Sequence, residues 1–183
     1  NYINAYGPIG DRGKIRSRFG VGNGEILILS LGILKPYKKI ENIIGAFKKS
    51  SNLKLKLLIA GQSSERYAKI LRDEAGSADN IITNFDFIED KEIPDYFAAA
   101  DFSVFWYDDS VLTSGGIILS LSYGTPVISR DISASELIKD KENGFIYGKE
   151  SQLVAIFNDL NHGQFDREKI IASVEDLSWG SIA

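Results

Sequence analysis

Short, unbroken apolar runs recur along the chain, separated by longer amphipathic stretches. The apolar runs span residues 25–32, 53–61, 80–88, 101–107, 126–129 and 144–147. Predominantly apolar runs of this length are typical of parallel strands that are buried on both faces. Each run therefore predicts one strand of a parallel sheet.

The stretches between these runs have the length and the periodicity of helices. They cover residues 40–50, 64–76, 91–100, 114–124 and 134–144. In the first of them, Ile40, Ile43 and Phe47 fall on one face, and the two lysines near its end fall off that face. The alternation predicts an α/β fold, a doubly wound, Rossmann-like parallel sheet with strand order 3-2-1-4-5-6 and helices on both faces.

The two ends of the chain differ from this alternating region. Residues 1–24 are rich in glycine and polar residues, with one short helix near 11–19, and they predict a linker-like lead-in. Residues 25–183 then form a single domain, which helices at 150–161 and 167–183 close after the last strand. The chain has 183 residues, an ordinary length for one domain.

Composition and charge argue against several classes of function. The net charge is −4, which makes a nucleic-acid partner held by bulk positive charge an unfavourable hypothesis. The chain has no cysteine, which excludes disulfides and thiolate metal sites and fits a reducing, cytoplasmic environment. No apolar run is long enough to cross a bilayer. The single histidine, His162, lies in the turn-like stretch NHGQ, where we expect a solvated loop residue.

The loop after the first predicted strand, residues 31–39, carries two lysines. Gly32 would let the backbone turn sharply out of the strand, and Lys35 and Lys38 follow just before the next helix. Cations beside a helix N-terminus are unfavourable for the helix unless an anion occupies the site. From this loop alone, an anion site and a pair of solvated surface lysines are equally well supported.

The loop after the fourth predicted strand, residues 107–116, opens a helix with the pattern that phosphates favour. Thr113 or Ser114 is a natural N-cap, and Gly115 and Gly116 leave the amides of the first turn uncovered. The two glycines could instead serve close packing of the helix on the sheet. Because the carboxyl ends of parallel strands meet at one edge, this helix and the lysine loop together favour a phosphate site.

Asp108 and Asp109 form an adjacent acidic pair in the same loop. Neighbouring carboxylates on a loop point apart, and no further cluster of acidic residues or histidine supports octahedral ligation. We therefore expect a solvated or sugar-facing loop, no metal and no cofactor. No Ser-His-Asp, Cys-His or activated-lysine arrangement indicates nucleophilic hydrolysis, so no catalytic residue is assigned.

The order of these segments resembles the C-terminal, donor-binding domain of GT-B-fold glycosyltransferases. The resemblance runs from Glu25 to Tyr147 and is strongest with the large bacterial family of retaining, group 1 transferases that build lipopolysaccharide, capsule and other polysaccharides. It is carried by LSLGILKPYKKIENIIGAF, LLIAG, IPDYFAAADFSVFWYDDSVLTSGGIILSLSYGTPVIS and SELIKDKENGFIY. It implies one half of a GT-B fold, with the N-terminal acceptor domain absent.

The family holds the donor diphosphate with a G-R-x-x-x-x-K-G segment after the first strand. The glycine and the lysine fall on Gly32 and Lys38. The arginine position is occupied by Ile33, which Lys35 could offset only in part. The family's A-D segment before the fourth strand matches residues 100–101, where a structural role is usual.

A second departure concerns the family's E-G-F-G…E-A-M-A-x-G-x-P-V segment, whose second glutamate binds the ribose hydroxyls. The second glutamate falls on Leu119 in this chain, and the first falls near Val111. One branch of the family has a T-S-G segment here, which is similar to residues 113–115. The diphosphate-binding residues implied are Gly32, Lys35, Lys38, Thr113, Ser114, Gly115 and Gly116. The residues expected near the nucleoside or the sugar are Phe87, Ile88, Asp108, Asp109 and Leu119. Glu136 matches a family glutamate that usually lies behind the site.

The resemblance implies a hexosyltransferase type of enzyme that moves a sugar from a nucleotide diphosphate sugar to a saccharide or lipid-linked acceptor in polysaccharide biosynthesis. The acceptor would bind through the N-terminal domain, so we expect this piece alone to be inactive. The full-length protein would be cytoplasmic, with peripheral association at the inner face of the cell membrane as an option. Two alternatives stay open: a nucleotide-sugar 2-epimerase of the same fold, and a degenerate binding or interaction module, which Ile33 and Leu119 suggest.

Overall fold

Six parallel strands form one sheet in the computed structural model, which describes residues 6–174 of the chain. The strands are β1 (Ile26–Leu31), β2 (Leu55–Ala60), β3 (Ile81–Asn84), β4 (Phe102–Phe105), β5 (Val127–Arg130) and β6 (Gly144–Tyr147). Their order across the sheet is β3-β2-β1-β4-β5-β6, and every neighbouring pair is parallel. The predicted strand order and the α/β, Rossmann-like fold class are confirmed.

Helices connect the strands and cover both faces of the sheet. They are α1 (Arg12–Arg18), α2 (Ile40–Lys49), α3 (Glu65–Ala75), α4 (Ile93–Ala99), α5 (Gly115–Ser122), α6 (Glu150–Asp159) and α7 (Arg167–Ala172). Short 3-10 turns lie at Pro36–Lys38, Asp90–Glu92 and Ser133–Ser135. The last two helices close the domain as predicted, except that residues 175–183 of the predicted helix 167–183 lie outside the described residues.

The predicted helix at 134–144 was wrong. The segment contains the 3-10 turn Ser133–Ser135, and turns then lead into β6. The Asn143 side chain accepts a hydrogen bond from the Lys139 amide and donates one to the Leu137 carbonyl, so it competes with helical hydrogen bonds. Lys141 adopts a left-handed backbone conformation with φ 64°, which an α-helix does not accommodate.

The sheet is buried on both faces because its central strands carry no polar face. On β1, the side chain of Ile28 packs with α2 and α6, while Leu27 and Leu29 pack on the other face with α1 and α4. All three of these side chains are fully buried. This burial is the reason for the continuous apolar runs in the sequence.

An ionic cluster around Asp101 joins several elements at the amino ends of the strands. Its carboxylate accepts hydrogen bonds from Arg12 at 2.6 Å, from Arg16 at 2.9 Å and from the Leu27 amide at 2.8 Å. The two arginines also donate to carbonyls of residues 98–100 at the C-terminal end of α4, where a cation is favourable. The cluster therefore fixes α1, α4 and β1 to the start of β4.

Replacement of Asp101 should be strongly destabilising. The Asp101 side chain is only 11% exposed, and Asp101→Asn leaves Arg16, which is 9% exposed, without its counter-ion. We expect the free energy of unfolding to fall by about 3 kcal/mol, as measured by urea denaturation.

The matched control is Asp73→Asn, which breaks the exposed ion pair between Lys69 and Asp73. An exposed pair of this kind contributes little, so the control should lose no more than about 0.5 kcal/mol. Equal losses in the two variants would contradict a structural role for the Asp101 cluster.

Candidate donor site

A cavity of about 340 Å³ opens at the carboxyl ends of β1, β2 and β4. The lining includes residues predicted to bind the diphosphate and residues predicted to lie near the nucleoside or the sugar. They come from the lysine loop, the loop after β3 and α5. They are Gly32, Lys38, Phe87, Ile88, Gly116 and Leu119. The structure therefore brings together two predicted loops that are about eighty residues apart in the sequence.

The other predicted site residues lie beside this cavity or are engaged elsewhere. Lys35 lines a neighbouring groove after β2, and Thr113 is exposed. The Asp108 carboxylate accepts hydrogen bonds from the backbone amide and the hydroxyl of Ser110, and Asp109 forms an ion pair with Arg130 at 2.7 Å. Within residues 6–174, no group of three or more histidine or acidic residues could hold a metal ion.

Two glycines bring the loops after β1 and β2 into direct backbone contact. Gly32 has φ +125° and Gly61 has φ +132°, conformations that residues with side chains rarely adopt. A Cβ atom on Gly61 would lie only 2.1 Å from the Gly32 carbonyl oxygen. Larger residues at position 61 would push the two loops apart and open the cavity wall.

Lys38 lies in the cavity lining without a counter-ion. It ends the 3-10 turn Pro36–Lys38, and its Nζ lies 3.1 Å from the position that a Cβ on Gly32 would occupy. The ammonium group makes no ion pair or hydrogen bond with any residue between 6 and 174. Burial, and secondly the nearby charge of Lys35, lower the pKa of Lys38 to about 8. A partly buried, unpaired cation of this kind is well placed to receive an anion.

The start of α5 presents free amides beside this lysine. The Ser114 hydroxyl caps the helix by accepting from the Ile117 amide at 3.2 Å, and it is hydrogen-bonded to the Tyr107 hydroxyl at 2.8 Å. Burial raises the pKa of Tyr107 to about 12, so its hydroxyl stays protonated. The amides of Gly115 and Gly116 have no acceptor among the described residues and carry the positive end of the helix dipole.

The same helix start also packs closely on the sheet. A Cβ on Gly116 would lie 2.9 Å from Cε1 of Phe105. Close packing of the helix on the sheet, one of the two explanations for these glycines that the sequence left open, therefore holds at Gly116. It is compatible with an anion site, because the Gly116 amide is free in either case. Gly115, by contrast, is exposed.

The two departures from the family pattern make part of the cavity apolar. Ile33 is 60% exposed at the rim, and Leu119 packs against the core between α4 and α5 while it lines the cavity. Further lining residues were not singled out from the sequence: Tyr6, Leu31, Gly61, Gln62, Asp90, Ile93, Phe97 and Phe105. Of these, Gly61 and Gln62 could have been found from the sequence, because Gly61 ends a predicted strand and Gln62 directly follows it.

Comparison with known proteins decides the family. The model of the family described as "Glycosyl transferases group 1" matches residues 11–175. The chain belongs to the group 1 glycosyltransferases.

Relatives of this group 1 glycosyltransferase chain agree with that assignment. It is 33% identical over 148 residues to the alpha-monoglucosyldiacylglycerol synthase of Streptococcus pneumoniae, an alignment that covers 76% of the chain and 32% of the synthase. The structure of HepE from Anabaena in complex with UDP is similar to it with a TM-score of 0.78 and 21% identity, over 94% of this chain and 50% of HepE. The chain thus spans about a third to a half of these relatives.

A C-terminal domain from Francisella tularensis, of a group 1 family glycosyl transferase, matches over nearly its whole length. The TM-score is 0.69 at 21% identity, and the match covers 93% of this chain and 92% of that domain. At this level of identity the likeness concerns the fold, which is that of a GT-B half. No helix among residues 6–174 of the glycosyltransferase chain is long and apolar enough to span a membrane.

A second hollow of about 300 Å³ lies at the opposite, amino-terminal edge of the sheet. Arg167 lines it and donates to the carbonyls of Phe97 and Tyr123, which end α4 and α5, while burial lowers its pKa to about 10. His162 is 44% exposed there, with Nδ1 3.4 Å from Asp101, so it is a partly solvated loop residue remote from the cavity. The cations of this edge therefore neutralise the ends of helices.

Substitution of Gly116 by alanine tests the packing of α5. The new methyl group would meet the Phe105 ring, so Gly116→Ala should lower the free energy of unfolding by about 1–3 kcal/mol. Gly45 is the control, because it lies inside α2 with nothing within 4 Å of an added Cβ. Gly45→Ala should raise the free energy of unfolding by about 0.5–1 kcal/mol. A gain in both variants would contradict the close contact at Gly116.

Proposed function

We propose that this chain binds the donor in an enzyme that transfers a hexose from a nucleotide diphosphate sugar to a saccharide or lipid-linked acceptor. The observation that carries the proposal is the unpaired Lys38, which shares one cavity with the glycine-rich start of α5. A cation without a counter-ion and free helix amides together match a diphosphate. The membership in group 1 supports the reaction class.

The proposed chemistry depends on stabilisation of the leaving group. The acceptor hydroxyl attacks the anomeric carbon and passes its proton to a base that the acceptor-binding domain would supply. The bond from that carbon to the phosphate oxygen breaks, and the nucleoside diphosphate leaves with the electron pair. Lys38 and the amides of Gly115 and Gly116 would stabilise the negative charge that develops on the diphosphate, without metal or cofactor. Lys35, outside the cavity lining, would contribute only a longer-range attraction.

The nucleoside would lie against the apolar part of the cavity. Phe87, which is 68% exposed, and Ile88 follow β3, and Leu119 lines the same cavity from α5. Because HepE structures contain UDP and UDP-glucose, we take a uridine diphosphate sugar as the first donor to test. The aspartates 108 and 109 lie outside the lining and would face the sugar at most from the rim.

The proposed acceptor and cellular setting follow from a relative of this chain. The pneumococcal relative is named as a synthase of a glucosylated diacylglycerol, which supports a lipid or lipid-linked acceptor and action at the inner face of the membrane. The remainder of the full-length protein would hold the acceptor, with polysaccharide or glycolipid synthesis as the pathway. A 2-epimerase would need histidine and several acidic residues in the cleft. The described lining contains no histidine and one carboxylate, which favours a transferase over an epimerase.

Removal of the Lys38 charge should weaken binding of UDP and UDP-glucose. A charge-assisted contact to phosphate is worth roughly 1.5–3 kcal/mol, so Lys38→Ala should raise the dissociation constant about tenfold or more. Lys35→Ala is the matched control, and its dissociation constant should rise by less than about threefold. Isothermal titration calorimetry near pH 7 measures both.

The pH dependence supplies a second arm of this test. In the free protein Lys38 loses its proton as the pH rises through about 8, whereas a bound diphosphate would hold the proton on. Affinity of the parent should therefore fall above pH 8, and Lys38→Arg, which stays charged, should show no such fall. Parent-like binding by Lys38→Ala would contradict the assignment, and a folded parent that binds no nucleotide diphosphate would favour the degenerate module.

A further inference from the structure

Asp90 adds a second charged side chain to the cavity lining. It begins the 3-10 turn Asp90–Glu92 ahead of α4, and among the described residues that line the cavity it is the one carboxylate. Lys38 is the one cation in that lining. The two side chains share the cavity and form no ion pair with each other.

The carboxylate of Asp90 differs from the two acidic groups beside it. Glu89 pairs with Lys91 at 2.5 Å, and the Glu92 carboxylate accepts a hydrogen bond from the Glu89 amide at 3.2 Å. Asp90 makes no side-chain hydrogen bond or ion pair with any residue between 6 and 174. It is therefore free to accept hydrogen bonds from a ligand.

Much of the remaining lining is apolar. Ile33, Ile88, Ile93 and Leu119 line the cavity together with Asp90 and offer no side-chain hydrogen bonds. A ligand that matches this lining has an anionic group for Lys38, an apolar surface and hydrogen-bond donors for the carboxylate. A nucleotide sugar has these three parts, and its donors are mainly hydroxyl groups.

We propose that Asp90 accepts hydrogen bonds from a pair of hydroxyl groups on the bound nucleotide sugar. An ionised carboxylate only accepts hydrogen bonds, and its two oxygens suit two neighbouring hydroxyls. The hydroxyls belong either to the ribose or to the transferred sugar. Asp90 is then a specificity residue, since it disfavours donors that lack one of the pair. The inference rests on the proposed function of the cavity.

Neutralising Asp90 changes the affinity for the nucleotide sugar in a direction that depends on whether Asp90 contacts the ligand. A carboxylate near a diphosphate site that makes no contact with the ligand only repels the diphosphate, so its neutralisation strengthens binding or leaves it unchanged. A carboxylate that accepts hydroxyl hydrogen bonds contributes affinity, so its neutralisation weakens binding. The same substitution thus shifts the affinity in opposite directions in the two cases.

The experiment compares the parent, Asp90→Asn and Asp86→Asn by isothermal titration with UDP-glucose. Asp86 is the matched control because it is exposed on the same loop, carries the same charge and does not line the cavity. Asp90→Asn should raise the dissociation constant about tenfold or more, and Asp86→Asn should leave it within about twofold of the parent. Thermal melting of the three proteins checks that each is folded.

Titrations with UDP and 2′-deoxy-UDP identify the hydroxyls. If Asp90 contacts the ribose, Asp90→Asn weakens UDP binding as well, and the preference of the parent for UDP over 2′-deoxy-UDP disappears in the variant. If it contacts the transferred sugar, only UDP-glucose binding is weakened. Parent-like or tighter binding of UDP-glucose by Asp90→Asn overturns this inference alone, whereas a parent that binds none of these nucleotides overturns the proposed donor site with it.

Discussion

The parallel sheet is buried on both faces, and this burial determines where charged groups can lie in the domain. Helices cover both sides of β1, so the interior of the sheet offers no place for a charged group. Charged chemistry is therefore confined to the two edges where strands begin and end. At each of these edges the backbone turns, helix ends converge, and side chains reach solvent.

The two edges differ in how their charges are satisfied. At the amino-terminal edge, Asp101 binds Arg12 and Arg16, and Arg167 donates to helix carbonyls, so these cations stabilise the fold. At the carboxyl-terminal edge, Lys38 has no partner within the described residues, and the first amides of α5 point to no acceptor. An unpaired cation and free helix amides at one edge are what a site for a diphosphate requires.

The strands and their order could be predicted from the sequence, because continuous apolar runs leave few arrangements other than a parallel sheet. The absence of a helix at 134–144 could not be predicted, because the composition of this segment is typical of a helix. The hydrogen bonds of the Asn143 side chain and the left-handed backbone of Lys141 depend on tertiary context. The loops of the site were predictable from their place after strands. That Lys38 and not Lys35 lines the cavity agrees with the spacing of the G-R-x-x-x-x-K-G segment from Gly32. That Asp90 joins it from another loop depends on loop conformation that no residue spacing encodes.

We propose that one cavity binds a nucleotide diphosphate between Lys38 and the start of α5. A crystal structure of the chain grown with UDP would show where the diphosphate lies. We expect a diphosphate oxygen at hydrogen-bond distance, about 2.7–3.2 Å, from Lys38 Nζ and from the amide of Gly115 or Gly116. A diphosphate bound instead among Arg12, Arg167 and His162 at the opposite edge would contradict this assignment.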